Sequence, residues 1–199
     1  SIPVIVDCDN GYGNAINVMR TVEEFEKVGA AAICIEDNIF PKRCSFYSGV
    51  RRELETIEEF AGKIRAAKGA QRSKQFVVIA RTEALIADWG MEEALRRARA
   101  YAGAGADMLL VHSKSKTPKE VTDFAKLFNI SRPLIAIPTT YKSASVKELY
   151  EAGFKMVIFA NQGVRASINA MREVFSTLRK ELRSDSVDDR IVSLEEIYD

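Results

Sequence analysis

Met91-Glu92-Glu93-Ala94-Leu95-Arg96-Arg97-Ala98-Arg99-Ala100-Tyr101-Ala102-Gly103-Ala104-Gly105-Ala106-Asp107-Met108-Leu109-Leu110-Val111-His112 contains one complete repeat of the pattern that decides the fold. Met91, Ala94, Leu95, Ala98, Tyr101 and Ala102 fall on one helical face, with Glu92, Arg96, Arg97 and Arg99 on the others. Gly closes the helix, because it takes the left-handed position at no Cβ cost. A short, continuous apolar run follows, Met108–Val111, which suits a strand covered on both faces. The run stops at a polar residue, His112.

The same unit recurs on either side. Val28-Gly29-Ala30 leads into Ala31–Ile35, and Ala152-Gly153-Phe154 leads into Met156–Phe159. With the other apolar runs, six strands are predicted at about Pro3–Asp9, Ala31–Asp37, Phe76–Arg81, Met108–His112, Leu134–Thr139 and Met156–Asn161. A last helix shows Val164, Ile168, Met171, Phe175, Leu178 and Leu182 at helical spacing. Strict alternation of strand and helix means a parallel sheet with right-handed crossovers, either doubly wound or a barrel. Gly11-Tyr12-Gly13-Asn14 is a poor match to a dinucleotide fingerprint. Asp7, Asp9, Glu36, Asp37, Arg81, Glu83, His112, Thr139 and Asn161 all lie at or just past the C-terminal ends of strands, the working face of a barrel. The fold class expected is therefore α/β, a (β/α)₈ TIM-type barrel in one domain over 1–199. Six βα units are present, and the first two are expected to precede Ser1.

Composition narrows the partners. The chain carries 29 basic and 28 acidic residues, a net charge of +1. They are interspersed, which speaks against a nucleic-acid footprint or a polybasic membrane patch. The apolar runs are strand-length, too short to span a bilayer, and no signal peptide is read at the start. Cys8, Cys34 and Cys44 match no zinc spacing and make a poor disulfide framework, so a reducing, cytoplasmic setting is expected.

Three acidic residues, Asp7, Asp9 and Glu36, are expected on one end of the sheet. Asp7 and Asp9, two apart on a strand, point to the same side. Converging carboxylates repel unless a cation joins them, and hard oxygen donors favour Mg²⁺, with Mn²⁺ as a substitute. The competing reading gives Asp9 and Asp37 loop-capping roles. Arg81 needs an anionic partner, which is either a substrate carboxylate or phosphonate, or simply Glu83 or Glu36. His112 is the only histidine, and its strand-end position favours function over packing. Asn38–Thr56 is long for a βα connection, and a lid carrying Lys42 and Arg43 would bring positive charge onto an anionic substrate. A solvated surface loop is the plainer alternative.

Asp7-Cys8-Asp9-Asn10-Gly11-Tyr12-Gly13-Asn14 resembles the metal-binding motif of the phosphoenolpyruvate mutase/isocitrate lyase superfamily. Glu36-Asp37 with Pro41-Lys42, Arg81-Thr82-Glu83-Ala84, His112-Ser113-Lys114, Pro138-Thr139, Asn161…Arg165-Ala166-Ser167 and Asp189–Ser193 follow in the family's order. The resemblance implies an α/β barrel, assembled as a homodimer or homotetramer with swapped C-terminal helices. It implies Asp7 as the direct Mg²⁺ ligand, and Asp9 and Glu36 as carboxylates holding the ion through water. It further implies catalytic and substrate-binding roles for Lys42, Cys44, Arg81 and His112, with Ser45 in the substrate loop. The activity implied is interconversion of phosphoenolpyruvate and phosphonopyruvate. Cys44 departs from the mutase pattern, which carries Asn there, and from the hydrolase pattern, which carries Thr. Superfamily lyases place an acid/base cysteine at that point, within Lys-Arg-Cys-Gly-His; here Ser45-Phe46 breaks the match. Phosphonopyruvate hydrolase, a Cys44-dependent carbon–carbon lyase and a non-catalytic barrel therefore stay open. The family's earlier strands, with an essential aspartate and a Ser-Gly turn, have no counterpart in the sequence, so the chain taken literally is expected to be inactive.

Overall fold

The computed structural model describes residues 2–42 and 53–198. The chain divides into two compact units, Ser1–Ile158 and Phe159–Asp199. In the first, strands and helices alternate: β1 (Ile5–Asp7), α1 (Ala15–Lys27), β2 (Ala32–Glu36), α2 (Ile57–Ala70), β3 (Val77–Thr82), α3 (Gly90–Gly103), β4 (Met108–Val111), α4 (Lys119–Phe128), β5 (Leu134–Ala136), α5 (Val146–Glu151) and β6 (Phe154–Val157). The strands form one parallel sheet in the order β1-β2-β3-β4-β5-β6.

That order separates the two candidate architectures. A doubly wound sheet reverses direction at a switch point. Here each strand adds on the same side of the last, so right-handed crossovers put every helix on one face. The side chains divide accordingly. Ile33, Ile35, Val78, Ala80, Leu109, Val111, Leu134 and Ala136 join the helix-facing core with Phe60, Ile64, Tyr101 and Phe124. Residues of opposite parity, Ala32, Cys34, Ile79, Leu110, Ile135 and Ile137, form a second, smaller layer on the concave side. Six parallel strands thus curl into a half-barrel, as the alternation and the strand-end polar residues predict.

Glycine closes α1 and α5 as the sequence requires: Gly29 and Gly153 have φ of +89° and +110°. Most strand boundaries differ from expectation: β5 ends at Ala136 and not Thr139, β6 ends at Val157 and not Asn161, and two further differences have a visible cause. β1 ends at Asp7 because Asp9 turns into the left-handed region, φ +51°. β6 starts at Phe154, two residues earlier than read. Phe154 is buried against Leu134, while exposed Lys155 breaks the apolar run that pattern reading depends on.

The turn between β1 and α1 demands a glycine at one point. Gly11 has φ +82°, and a Cβ added there would lie 2.3 Å from Val18 Cγ2, inside the core. Gly11→Ala combines overpacking with a disfavoured backbone, and is expected to cost about 2–4 kcal/mol in urea unfolding. A loss under about 0.5 kcal/mol would show that the turn can re-form without glycine.

The second unit consists of α6 (Gln162–Glu181), a 3₁₀ turn (Ser184–Arg190) and α7 (Leu194–Tyr198). Arg190 Nη1 donates to Thr177 Oγ1 at 3.1 Å, tying the turn back onto α6. Helix α6 buries no residue and leaves Val164, Ile168, Met171 and Phe175 exposed along the predicted stripe.

Candidate active site

Strand parity delivers the site. Asp7 pairs across with Cys34, and Glu36 with Arg81, in the register that also aligns Cys34 with Ile79. Glu36, Arg81 and His112 therefore continue, beyond the apolar layer of Cys34, Ile79 and Leu110, the same concave-side rows. All three are buried, at 1%, 8% and 3% exposure.

Asp7 and Asp9 come together by a turn and not by strand alternation. The Asp9 N–H donates to Asp7 Oδ1 at 3.0 Å, and the Asp9 carbonyl accepts from the Glu36 N–H at 2.7 Å. That second bond extends the β1–β2 ladder by one residue and carries Asp9 to the mouth beside Glu36. The Lys42 ammonium sits between them, 2.7 Å from Asp9 Oδ1 and 3.1 Å from Glu36 Oε1. Burial opposes the charge on Lys42, but Glu36, Asp9 and Asp7 together hold it well above the ordinary lysine value. Glu36 is shifted upward too, for a different reason. Its burial raises the carboxyl above the usual range, reinforced by Glu83 and opposed by Arg81 and Lys42.

Among the described residues, no three His, Cys, Asp or Glu side chains are gathered into a metal-ligand cluster. The expected meeting of Asp7, Asp9 and Glu36 is therefore partial: Asp9 and Glu36 share one cation, and Asp7 acts on it from further off. The donor set still fits a hard divalent ion. All donors are carboxylate oxygens, and a cationic head already bridges two of them. Glu36 Oε2 is buried and accepts no hydrogen bond from the described residues. Arg81 Nε lies 3.1 Å from it but directs its one hydrogen to Glu83.

Arg81 and His112 form the other half of the site. Arg81 Nε donates to Glu83 Oε1 at 2.7 Å, and Nη2 lies 2.6 Å from the same oxygen and 2.9 Å from His112 Nδ1. Of the partners the sequence left open for Arg81, both Glu83 and Glu36 are present. Burial pushes the imidazole below its ordinary value, against the pull of Glu83. Ser113 follows, and its hydroxyl donates to Glu120.

The connection after β2 is clamped at its base. Asn38 bridges to Leu54, its amide donates to Glu36 Oε1 at 2.9 Å, and its carbonyl accepts from Asn10 Nδ2 at 3.2 Å. Lys63 Nζ ties Glu55 Oε1, at 2.5 Å, to the Asn10 carbonyl, at 3.0 Å. Lys42 is held as described above. Arg43, Cys44 and Ser45, proposed from the sequence for the same loop, lie outside the described residues.

Sequence reasoning placed Arg97 on a solvent face of its helix; the structure buries it at 3% exposure. The reason is Asp37, whose Oδ2 accepts from Arg97 Nη1 (3.1 Å), Tyr101 Oη (2.7 Å) and Thr82 Oγ1 (3.0 Å), while Oδ1 accepts from the Glu83 N–H (2.8 Å). Asp37 thus points to the helix layer, one residue from Glu36 on the concave side. It pins the ends of β2 and β3 together. Period-based reading sends a lone charge to water and has no way to see a partner 60 residues away.

Comparison with known proteins agrees with this geometry. A family model described as phosphoenolpyruvate phosphomutase matches residues 1–179. A phosphoenolpyruvate phosphomutase of Streptomyces hygroscopicus is 45% identical, over 99% of this chain and 63% of its own length. The crystal structure of a phosphoenolpyruvate phosphomutase from Streptomyces platensis subsp. rosaceus superimposes with a TM-score of 0.97 at 49% identity, over 100% of this chain and 69% of that one. A phosphonopyruvate hydrolase crystallised with oxalate and Mg²⁺ superimposes with a TM-score of 0.91 at 44% identity, over 99% of this chain and 68% of that one. The chain thus spans about two thirds of the length of these relatives, and it belongs to the phosphoenolpyruvate phosphomutase family, within the phosphoenolpyruvate mutase/isocitrate lyase superfamily.

Proposed function

We propose that this chain carries the Mg²⁺ and phosphonyl-binding residues of an enzyme that interconverts phosphoenolpyruvate and phosphonopyruvate. The observation that carries the reading is the adjacency of two half-sites of opposite sign at one strand end: Asp9, Glu36 and Lys42 on one side, Arg81 and His112 on the other. A substrate with a carboxylate and a phosphonyl group needs both positive charge for its pyruvyl oxygens and fixed donors for its phosphorus oxygens.

In this reading Asp7, Asp9 and Glu36 would hold the ion. The bound ion supplies charge neutralisation to the pyruvyl oxygens and their enolate. Arg81 and His112 grip the phosphoryl or phosphonyl oxygens while the O–P bond breaks and the C–P bond forms. Lys42 leaves the carboxylates to reach substrate, and substrate-binding roles for Cys44 and Ser45 belong to the same reading. We read 1–199 as one domain; the family match supports this as far as residue 179, past the boundary between the two units. The apolar stripe of α6 pairs with a second copy in a homodimer or homotetramer by helix exchange. No helix among the described residues is long and apolar enough to cross a membrane, and the free, buried Cys8 and Cys34 suit a cytoplasmic setting.

The hydrolase likeness supports a second reading, cleavage of phosphonopyruvate. Phosphorus NMR of the complete protein, with the two βα units expected before Ser1, separates the readings when phosphonopyruvate and Mg²⁺ are added. Growth of a phosphoenolpyruvate signal is the expected result. Inorganic phosphate means a hydrolase. An unchanged spectrum removes both activities and leaves a Cys44-dependent lyase or a non-catalytic barrel. Asp7→Ala is expected to lower any turnover by roughly a hundredfold or more, as loss of a metal ligand does.

A further inference from the structure

We propose that Glu83 is a positioning residue that fixes the proton of His112 on Nε2. Glu83 is fully buried, and its backbone is held by the N–H bond to Asp37 Oδ1. Its Oε1 takes both Nε and Nη2 of Arg81, at 2.7 and 2.6 Å, which fixes the guanidinium plane. Nη2 carries two hydrogens. One serves Glu83, and the other points at His112 Nδ1, 2.9 Å away.

An arginine N–H only donates, so Nδ1 must present its lone pair, and the ring proton lies on Nε2. The opposite tautomer would send Nδ1–H to Glu83 Oε1, which is 3.4 Å away. It would also set that hydrogen against Arg81 Nη2, donor facing donor at 2.9 Å. The shorter contact wins, and it is Glu83 that keeps Arg81 there. With the reaction proposed above, Nε2–H becomes a donor for a phosphonyl oxygen, and Glu83 acts on substrate only through Arg81 and His112.

The single histidine makes the test clean, because ¹⁵N-histidine labelling gives one set of ring signals. At pH 7.5 the unaltered chain is expected to show an unprotonated Nδ1 and a protonated Nε2. The reverse pattern would overturn the assignment outright. In Glu83→Gln the tautomers are expected to mix, with at least roughly a third of the population carrying Nδ1–H, a free-energy change of only about 1 kcal/mol. A spectrum identical to the parent would show that Arg81 needs no help from Glu83. Glu83→Asp, which keeps the charge, covers the case in which Glu83→Gln fails to fold; it is expected to retain the parent pattern. Where phosphonopyruvate turnover is measurable, Glu83→Gln should raise KM by roughly tenfold with a much smaller change in kcat. The NMR result stands whether or not turnover is seen, so failure of this assignment is distinct from failure of the proposed reaction.

Discussion

Lys42→Met is expected to bind Mg²⁺ roughly ten to a hundred times more tightly than the parent chain while losing turnover, a gain of about 1.4–2.8 kcal/mol in metal affinity. The ammonium of Lys42 lies 2.7 Å from Asp9 and 3.1 Å from Glu36, and it is only a fifth exposed. A divalent ion entering between these carboxylates has to displace it or sit beside it. At an effective dielectric of about 20, each contact of this kind is a few kcal/mol of Coulomb energy, most of it returned when the freed ammonium rehydrates. The remainder opposes the metal. Methionine keeps the length and apolar stem of lysine without the charge. Calorimetric titration with MgCl₂, or electron paramagnetic resonance with Mn²⁺, reads the affinity directly. Lys42→Arg keeps the charge and should stay within about threefold of the parent. Equal or weaker affinity in Lys42→Met would mean that Lys42 and the metal do not compete for the same oxygens, and the proposed cation site would have to move.

How far the sequence carries this picture depends on whether each residue's partner is near in the chain or in the strand register. Apolar runs, their separation and the glycines after helices are local, so six strands and their order as a curled sheet were legible. Glu36, Arg81 and His112 were legible for a related reason: each ends a run whose inner parity is fixed by residues two and four before it. Asp9 shows the limit of that logic. It is on the right end of the sheet, yet it arrives there through a left-handed turn, because the ladder bond to the Glu36 N–H is made by its carbonyl beyond the regular strand. Glu83 was visible as a strand-end polar residue and a candidate partner for Arg81, but nothing local ranks it above Glu36 for that pairing. Tyr101 was read on the buried face without its Asp37 partner, and the burial of Arg97 was hidden entirely. Their shared partner is a single carboxylate on another element, and helical periodicity describes a residue's face without knowing what meets it. Lys63 is the same case, buried on α2 to serve Glu55 and the Asn10 carbonyl.

Arg97→Met is expected to destabilise the fold by about 3–5 kcal/mol, because it leaves the Asp37 carboxylate buried with neutral donors alone. Asp37 is fully buried, and its other donors are Tyr101, Thr82 and the Glu83 N–H. For a unit of this size such a loss lowers Tm by on the order of 10 °C. The pH dependence identifies the cause. Burial already pushes the Asp37 carboxyl up, against the Glu83 N–H, Arg97 and Tyr101. Without Arg97 it rises further above its unfolded value of about 4. A carboxyl raised on folding binds more protons in the native state, so stability falls as pH climbs from the unfolded to the folded value. The deficit of Arg97→Met should therefore be smallest at low pH, where the carboxyl is protonated, and grow as pH rises, and the double variant with Asp37→Asn should recover part of it. Urea unfolding as a function of pH measures both. A deficit that does not vary with pH would point to lost stacking of the guanidinium on Trp89, 4.8 Å away, and not to an abandoned charge. Because Asp37 joins the ends of β2 and β3, the strands that carry Glu36 and Arg81, the same variant should loosen the candidate site. Weaker Mg²⁺ binding at temperatures well below Tm would then separate a slackened site from simple unfolding.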